Sequence, residues 1–129
     1  MTDYYCDCDY DPADVWNVTM PHARIRHKCT ECNGPIIPGE QYERVESLYD
    51  GAWTTYKTCQ RCLNVVAYVT AHVPCFCWYR QGLYEDGGAV DTCAAYAHHA
   101  PGLLFGLGRL LVKKNQFRAQ HKEIGRAHV

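Results

Sequence analysis

The chain has 129 residues, 47% of them hydrophobic and 21% charged, and a formal net charge of -1. This is the balance of a folded protein with a modest core, and it excludes both a disordered chain and binding to polyanions through bulk charge. Nine cysteines are an odd count, and Met1-Thr2-Asp3-Tyr4-Tyr5 lacks the basic and apolar regions of a secretory leader, so a disulfide framework is not expected. The most apolar run, from Gly102 to Val112, is short and holds Arg109, too little to span a bilayer. The expectation is a single cytoplasmic domain over 1–129, with an acidic N-terminal segment 1–23, a metal-binding core 24–73 and a mainly helical extension 74–129.

The N-terminal segment carries Asp3, Asp7, Asp9, Asp11 and Asp14, with no Lys or Arg before residue 15. It also contains Cys6-x-Cys8. In the core, Cys29-x-x-Cys32 is followed by the turn signals Gly34-Pro35 and Pro38-Gly39. Gln41 to Tyr49 and Ala52 to Thr58 are rich in Tyr, Val, Trp and Thr and read as strands. Asp50-Gly51 between them is a favoured two-residue hairpin turn, because both positions tolerate positive φ. Cys59-x-x-Cys62 follows, then an apolar segment from Leu63 to His72 that periodicity leaves open between helix and strand. Pro74 ends it.

In the extension, Gly82 and Gly87-Gly88 mark loops. Asp91 is placed to cap a short helix through Ala94, Ala95 and Ala97. Pro101 is placed to open another, in which Leu103, Leu104, Leu107, Leu110, Leu111, Phe117 and Ile124 follow the helical period. Gly106 and Gly108 weaken its first turns. Arg118, Lys122 and Arg126, spaced by four, form a basic stripe, so the chain carries an acidic head and a basic tail that can pair within the fold or face different partners.

The strongest chemical signal is the pairing of Cys29/Cys32 with Cys59/Cys62. Each two-residue spacer lets a tight turn aim two thiolates at one ion, and four thiolates close a tetrahedral zinc shell. No other cysteine or histidine falls between Cys32 and Cys59. A knuckle, a hairpin and a helix carrying the last two ligands would make a treble-clef core, with the helix N-terminus favouring thiolate charge. Zinc on four thiolates carries a net -2, which takes the formal -1 to -3 with one site and to -5 with two. Arg24, Arg26, Lys28, Lys57 and Arg61 flank the knuckles and can offset that charge or donate to sulfur.

Cys6, Cys8, Cys75 and Cys77 form two Cys-x-Cys pairs. In extended segments, residues i and i+2 point the same way, so these pairs could build a second zinc site. The alternative is that Cys75 and Cys77 belong to an apolar run while Cys6 and Cys8 lie in the tail. Cys93 reads as a single buried thiol, and His72, His98 and His99 are assigned no metal.

No catalytic residue is assigned. A redox Cys-x-x-Cys normally stands alone in a strand-helix context; the hairpin has no histidine to act as a general base, and Pro74-Cys75-Phe76-Cys77 lacks deaminase spacing. There is no His-Glu-x-x-His and no phosphate-cradling glycine loop. A closed four-thiolate shell also leaves no coordination position for water.

Residues 24–62, with Cys29-Thr30-Glu31-Cys32, Ile37-Pro38-Gly39-Glu40-Gln41-Tyr42, the Asp50-Gly51 hairpin and Cys59-Gln60-Arg61-Cys62, resemble small zinc-binding proteins encoded by bacteriophages and prophages. The likeness extends more loosely to Cys6-Asp7-Cys8 and to Pro74-Cys75-Phe76-Cys77. It implies a small α+β fold with a zinc-ribbon or treble-clef core, ligands Cys29, Cys32, Cys59 and Cys62, and a phage setting, but no settled activity. The expected function is non-enzymatic binding: an adaptor or inhibitor of a host protein, including a defence protein, with aromatic anchors such as Trp53. The rival expectation is a nucleic-acid-binding zinc module or small regulator contacting phosphate through Arg118, Lys122 and Arg126.

Overall fold

The computed structural model describes residues 13–74, 76, 81–85 and 88–121. Asp50 and Gly51 have φ of 54° and 79°, the left-handed geometry that a two-residue hairpin needs to match strand twist. They join β4 (Glu43–Tyr49) to β5 (Ala52–Thr58) in antiparallel register, with Tyr49 opposite Ala52 and Glu43 opposite Thr58. The hairpin is as expected, two residues shorter at its start than the Gln41 to Tyr49 reading.

A third strand, β1 (Val15–Thr19), completes the sheet in the order β1-β4-β5. Its pairing runs from Val15 opposite Leu48 to Thr19 opposite Arg44. The sequence gives little sign of it, because all five residues are exposed and show no buried alternation. The end of the acidic segment is therefore part of the sheet.

The first knuckle lies between two-residue strands, β2 (His27–Lys28) and β3 (Pro35–Ile36). Between them, Cys29 N–H donates to the Gly34 carbonyl at 2.8 Å and Asn33 N–H to the Cys29 carbonyl at 3.0 Å. Asn33 takes φ 60°, a left-handed position that asparagine tolerates better than most side chains.

The segment left open by periodicity is α1 (Gln60–His72). Its buried residues Cys62, Val65 and Val69 lie on one helical face, against the core. Val73, next to Pro74, leaves the helix in extended conformation. α2 (Ala89–Tyr96) begins two residues before Asp91, with Gly88 at its cap position. Asp91 is thus a first-turn acid favouring the helix dipole, not the cap. Gly88 sits where it does because an added Cβ would come 2.2 Å from the Leu83 carbonyl oxygen.

After a single 3-10 turn at Ala97–His99, α3 runs from Leu103 to Gln120. Leu103 and Leu107 are buried on it, whereas Leu104 faces solvent. Ile124 lies outside the described residues. Gly106 has a packing reason: a Cβ there would meet the Tyr68 hydroxyl at 2.2 Å, and that hydroxyl donates to the Leu103 carbonyl at 2.8 Å. Glycine costs helix propensity but lets α1 and α3 approach closely.

The described residues form a small α+β fold with two antiparallel sheets and three α-helices. Its core gathers Ile36, Tyr42, Val65, Val69, Leu83 and Leu107 around four cysteines. Val45, also fully buried, lies apart from that core, on the sheet face that it shares with Val18 and Tyr56. No helix among the described residues is long and apolar enough to cross a membrane.

Candidate metal centre

Cys29 and Cys32 project from the knuckle, Cys59 stands at the N-cap of α1, and Cys62 lies in its first turn. Two bonds register the halves: Thr30 N–H donates to the Lys57 carbonyl at 2.7 Å, and Lys57 N–H donates to Thr30 Oγ1 at 2.9 Å. Strand β5 thereby carries the second pair up to the first.

All four cysteines are buried, and their sulfurs lie within 4.8 Å of one another. Cys29 to Cys62 and Cys32 to Cys59 are each 3.8 Å apart. A tetrahedron with metal–sulfur bonds of ~2.3 Å has an edge of ~3.8 Å, so the cluster can hold one metal ion. A disulfide would bring two sulfurs to ~2.0 Å, and these four are free thiols.

The surroundings favour negative sulfur. Cys32 Sγ accepts from Gly34 N–H at 3.3 Å and Cys29 Sγ from Cys59 N–H at 3.4 Å. Helix α1 has no side-chain cap and no acid in its first turn, so the sulfurs occupy the place where a capping carboxylate would interact with the dipole. Crowding makes the thiols share protons unequally. Hydrogen bonds from Cys29, Cys59 and Cys62 pull Cys32 far down, whereas Cys29 and Cys32 push Cys59 and Cys62 up. Cys29 falls to about 7, with Cys32 opposing and Cys59 and Cys62 favouring its charge. A central cation relieves this competition by holding all four as thiolates.

Two acids of the knuckle region do structural work that motif reading did not assign. Glu40 pairs with the Arg61 guanidinium, at 3.1 Å for Oε1, and both side chains are largely shielded. Arg61 also lies 3.5 Å over the Phe117 ring, which ties α1 to the far end of α3. Burial opposes its charge, but Glu40 and the Cys59 sulfur outweigh that and raise its pKa. Glu31 accepts Gln81 N–H at 2.7 Å and Leu83 N–H at 3.0 Å.

Tyr84 was not signalled by the sequence either, since it lies 22 residues beyond the last ligand in an irregular segment. Its hydroxyl is 3.1 Å from Cys62 Sγ. Burial, then the adjacent Cys62 sulfur, push the phenol far above its ordinary range, and either partner can donate in the contact. Of the expected basic flankers, Arg61 is in place, Lys57 instead meets His27 Nδ1 at 3.2 Å, and Arg26 donates to the His121 carbonyl.

The second set, Cys6, Cys8, Cys75 and Cys77, lies outside the described residues, as do Lys122 and Arg126. Arg118 is exposed, with its aliphatic stem beside Gly34 of the knuckle. Trp53 is 64% exposed on β5. Cys93 is buried in the core, and burial raises its pKa. No family model, curated protein or solved structure matches the chain.

Proposed function

We propose that this is a zinc-stabilised, non-enzymatic binding protein with a treble-clef core, acting as an adaptor or inhibitor on a host protein in a phage setting. The observation that carries the binding reading is the sheet β1-β4-β5, which leaves Trp53 64% and Trp16 49% exposed, with Val15, Val18 and Tyr49 also open to solvent. Large aromatic side chains held on a rigid strand scaffold supply contact area at small entropic cost. Zinc is the favoured ion because four thiolates at tetrahedral spacing match its structural sites, and a closed shell directs the metal to folding instead of catalysis. The phage setting rests on the likeness of residues 24–62.

Elemental analysis of the purified chain tests the first half, with one zinc per Cys29/Cys32/Cys59/Cys62 cluster expected. Capture from host lysate with wild-type protein and with a Trp16→Ala/Trp53→Ala variant tests the second. A protein retained by the first and lost from the second supports the reading; equal retention removes the sheet from it.

A nucleic-acid-binding role is the second reading. Arg26 contacts the His121 carbonyl, and the Arg118 stem lies beside Gly34, so the basic groups of knuckle and last helix share one region. Affinity for DNA or RNA that drops steeply between two salt concentrations would favour it over the protein-binding reading.

A further inference from the structure

We infer that Glu31 and Tyr84 make residues 81–85 an outer wall of the metal centre, so that holding the metal and docking the second half of the chain are one cooperative event. The inference rests on the metal reading above and assigns to that site residues beyond its ligands.

Glu31 lies inside the first knuckle, between Cys29 and Cys32. Its two carboxylate oxygens each take one backbone N–H from the incoming segment, Gln81 at 2.7 Å and Leu83 at 3.0 Å. A carboxylate that accepts two main-chain donors fixes that segment in both position and direction. Gln81 is held with φ 75°, a left-handed conformation that a non-glycine residue adopts only when its surroundings impose it. The side chain of Leu83 is then fully buried, and its carbonyl accepts Ala89 N–H at 2.8 Å, the bond that starts α2.

The same segment reaches the sulfur cluster itself through Tyr84, whose hydroxyl is 3.1 Å from Cys62 Sγ. Lys114 of α3 closes over the Tyr84 ring, with Nζ 4.0 Å from the ring centre. One stretch of five residues therefore touches the first knuckle through Glu31, the second through Cys62, and both following helices. Hydrogen bonds to metal-bound sulfur draw electron density from it and slow its exchange, and outer-shell partners of this kind commonly change metal affinity by about 10- to 100-fold. Stripping the ion would release the Cys62–Tyr84 contact and loosen the wall; removing the wall would leave the ion easier to strip.

The test uses the full-length chain loaded with zinc, or with cobalt(II) as a spectroscopic substitute, in wild type, Tyr84→Phe and Glu31→Gln, with Tyr49→Phe on the exposed sheet as a control. Three quantities are read: release of zinc to a colorimetric chelator, the sulfur-to-cobalt charge-transfer band, and hydrogen exchange at the amides of Gln81, Leu83 and Ala89. Tyr84→Phe should release zinc about tenfold faster and shift the charge-transfer band to longer wavelength, with the tetrahedral cobalt pattern retained. Glu31→Gln should speed exchange at Gln81 and Leu83 and also hasten release, and Tyr49→Phe should leave these three quantities at their wild-type values. A band position and release rate in Tyr84→Phe indistinguishable from wild type would overturn the inference. If Glu31→Gln does not fold, Tyr84→Phe, which loses a single oxygen, decides alone. A wild-type chain that takes up no metal would overturn the metal reading and this inference together, whereas a loaded chain with unchanged variants overturns the inference only.

Discussion

The sulfur cluster and the three-stranded sheet are joined by β5 yet held by different physics. Around the cluster every ligand is buried, and the parts come from the knuckle, α1, the 81–85 segment and α3, far apart in the chain. In the sheet only the β4–β5 hairpin is local, one tight turn between adjacent strands; β1 joins it from 25 to 33 residues away, and the faces leave Trp16, Val18 and Trp53 in solvent. A small core distributed over distant segments gains from a cross-link that offsets chain entropy, and an ion on the four cysteines would supply it; a hairpin with a well-chosen turn closes cheaply without one. The difference is that the cluster draws distant segments into one buried core, whereas the sheet leaves large apolar side chains in solvent.

The largest expected effect separates the two halves directly. Cys62→Ser, or a strong chelator, should abolish metal uptake and collapse the helical core, since structural zinc sites contribute ~10–16 kcal/mol at neutral pH. Calorimetry and far-ultraviolet circular dichroism check this, and an unchanged melting curve after complete metal removal would break the comparison. Next comes the α1–α3 contact. Gly106→Ala forces a methyl onto the Tyr68 hydroxyl and should cost about 1–3 kcal/mol by denaturant unfolding, while Gly108→Ala, with open space at that position, should not destabilise. On the sheet, Gly51→Ala places a side chain at φ 79° and should cost about 1–2 kcal/mol, with metal content unaltered. The smallest effect on stability is expected at Trp53: Trp53→Ala should stay within about 0.5 kcal/mol of wild type while weakening capture of the partner.

Residues whose chemistry is decided by near neighbours were legible in the sequence. The Asp50-Gly51 turn needs only its own backbone freedom, and each Cys-x-x-Cys needs only a tight turn, so the hairpin and the four candidate ligands could be read from spacing. The segment from Leu63 to His72 was not settled, because its apolar residues fit more than one period; burial of Val65 and Val69 in the core selects the helix. Strand β1 was hidden because both faces are exposed and no alternation marks it. The cap of α2 was expected at Asp91 but lies three residues earlier, because the start of the helix is set by the close approach of Gly88 to Leu83, not by a capping side chain.

By itself, the amino-acid sequence determined that four thiols come in two turn-spaced pairs separated by a hairpin, since those are matters of local geometry and residue chemistry. Only the tertiary structure decided that Glu31, Tyr84 and Glu40 join the expected Arg61 around those thiols. Their roles depend on partners 21 to 52 residues away, and such distances in sequence become contacts only when burial of a shared core brings the segments together.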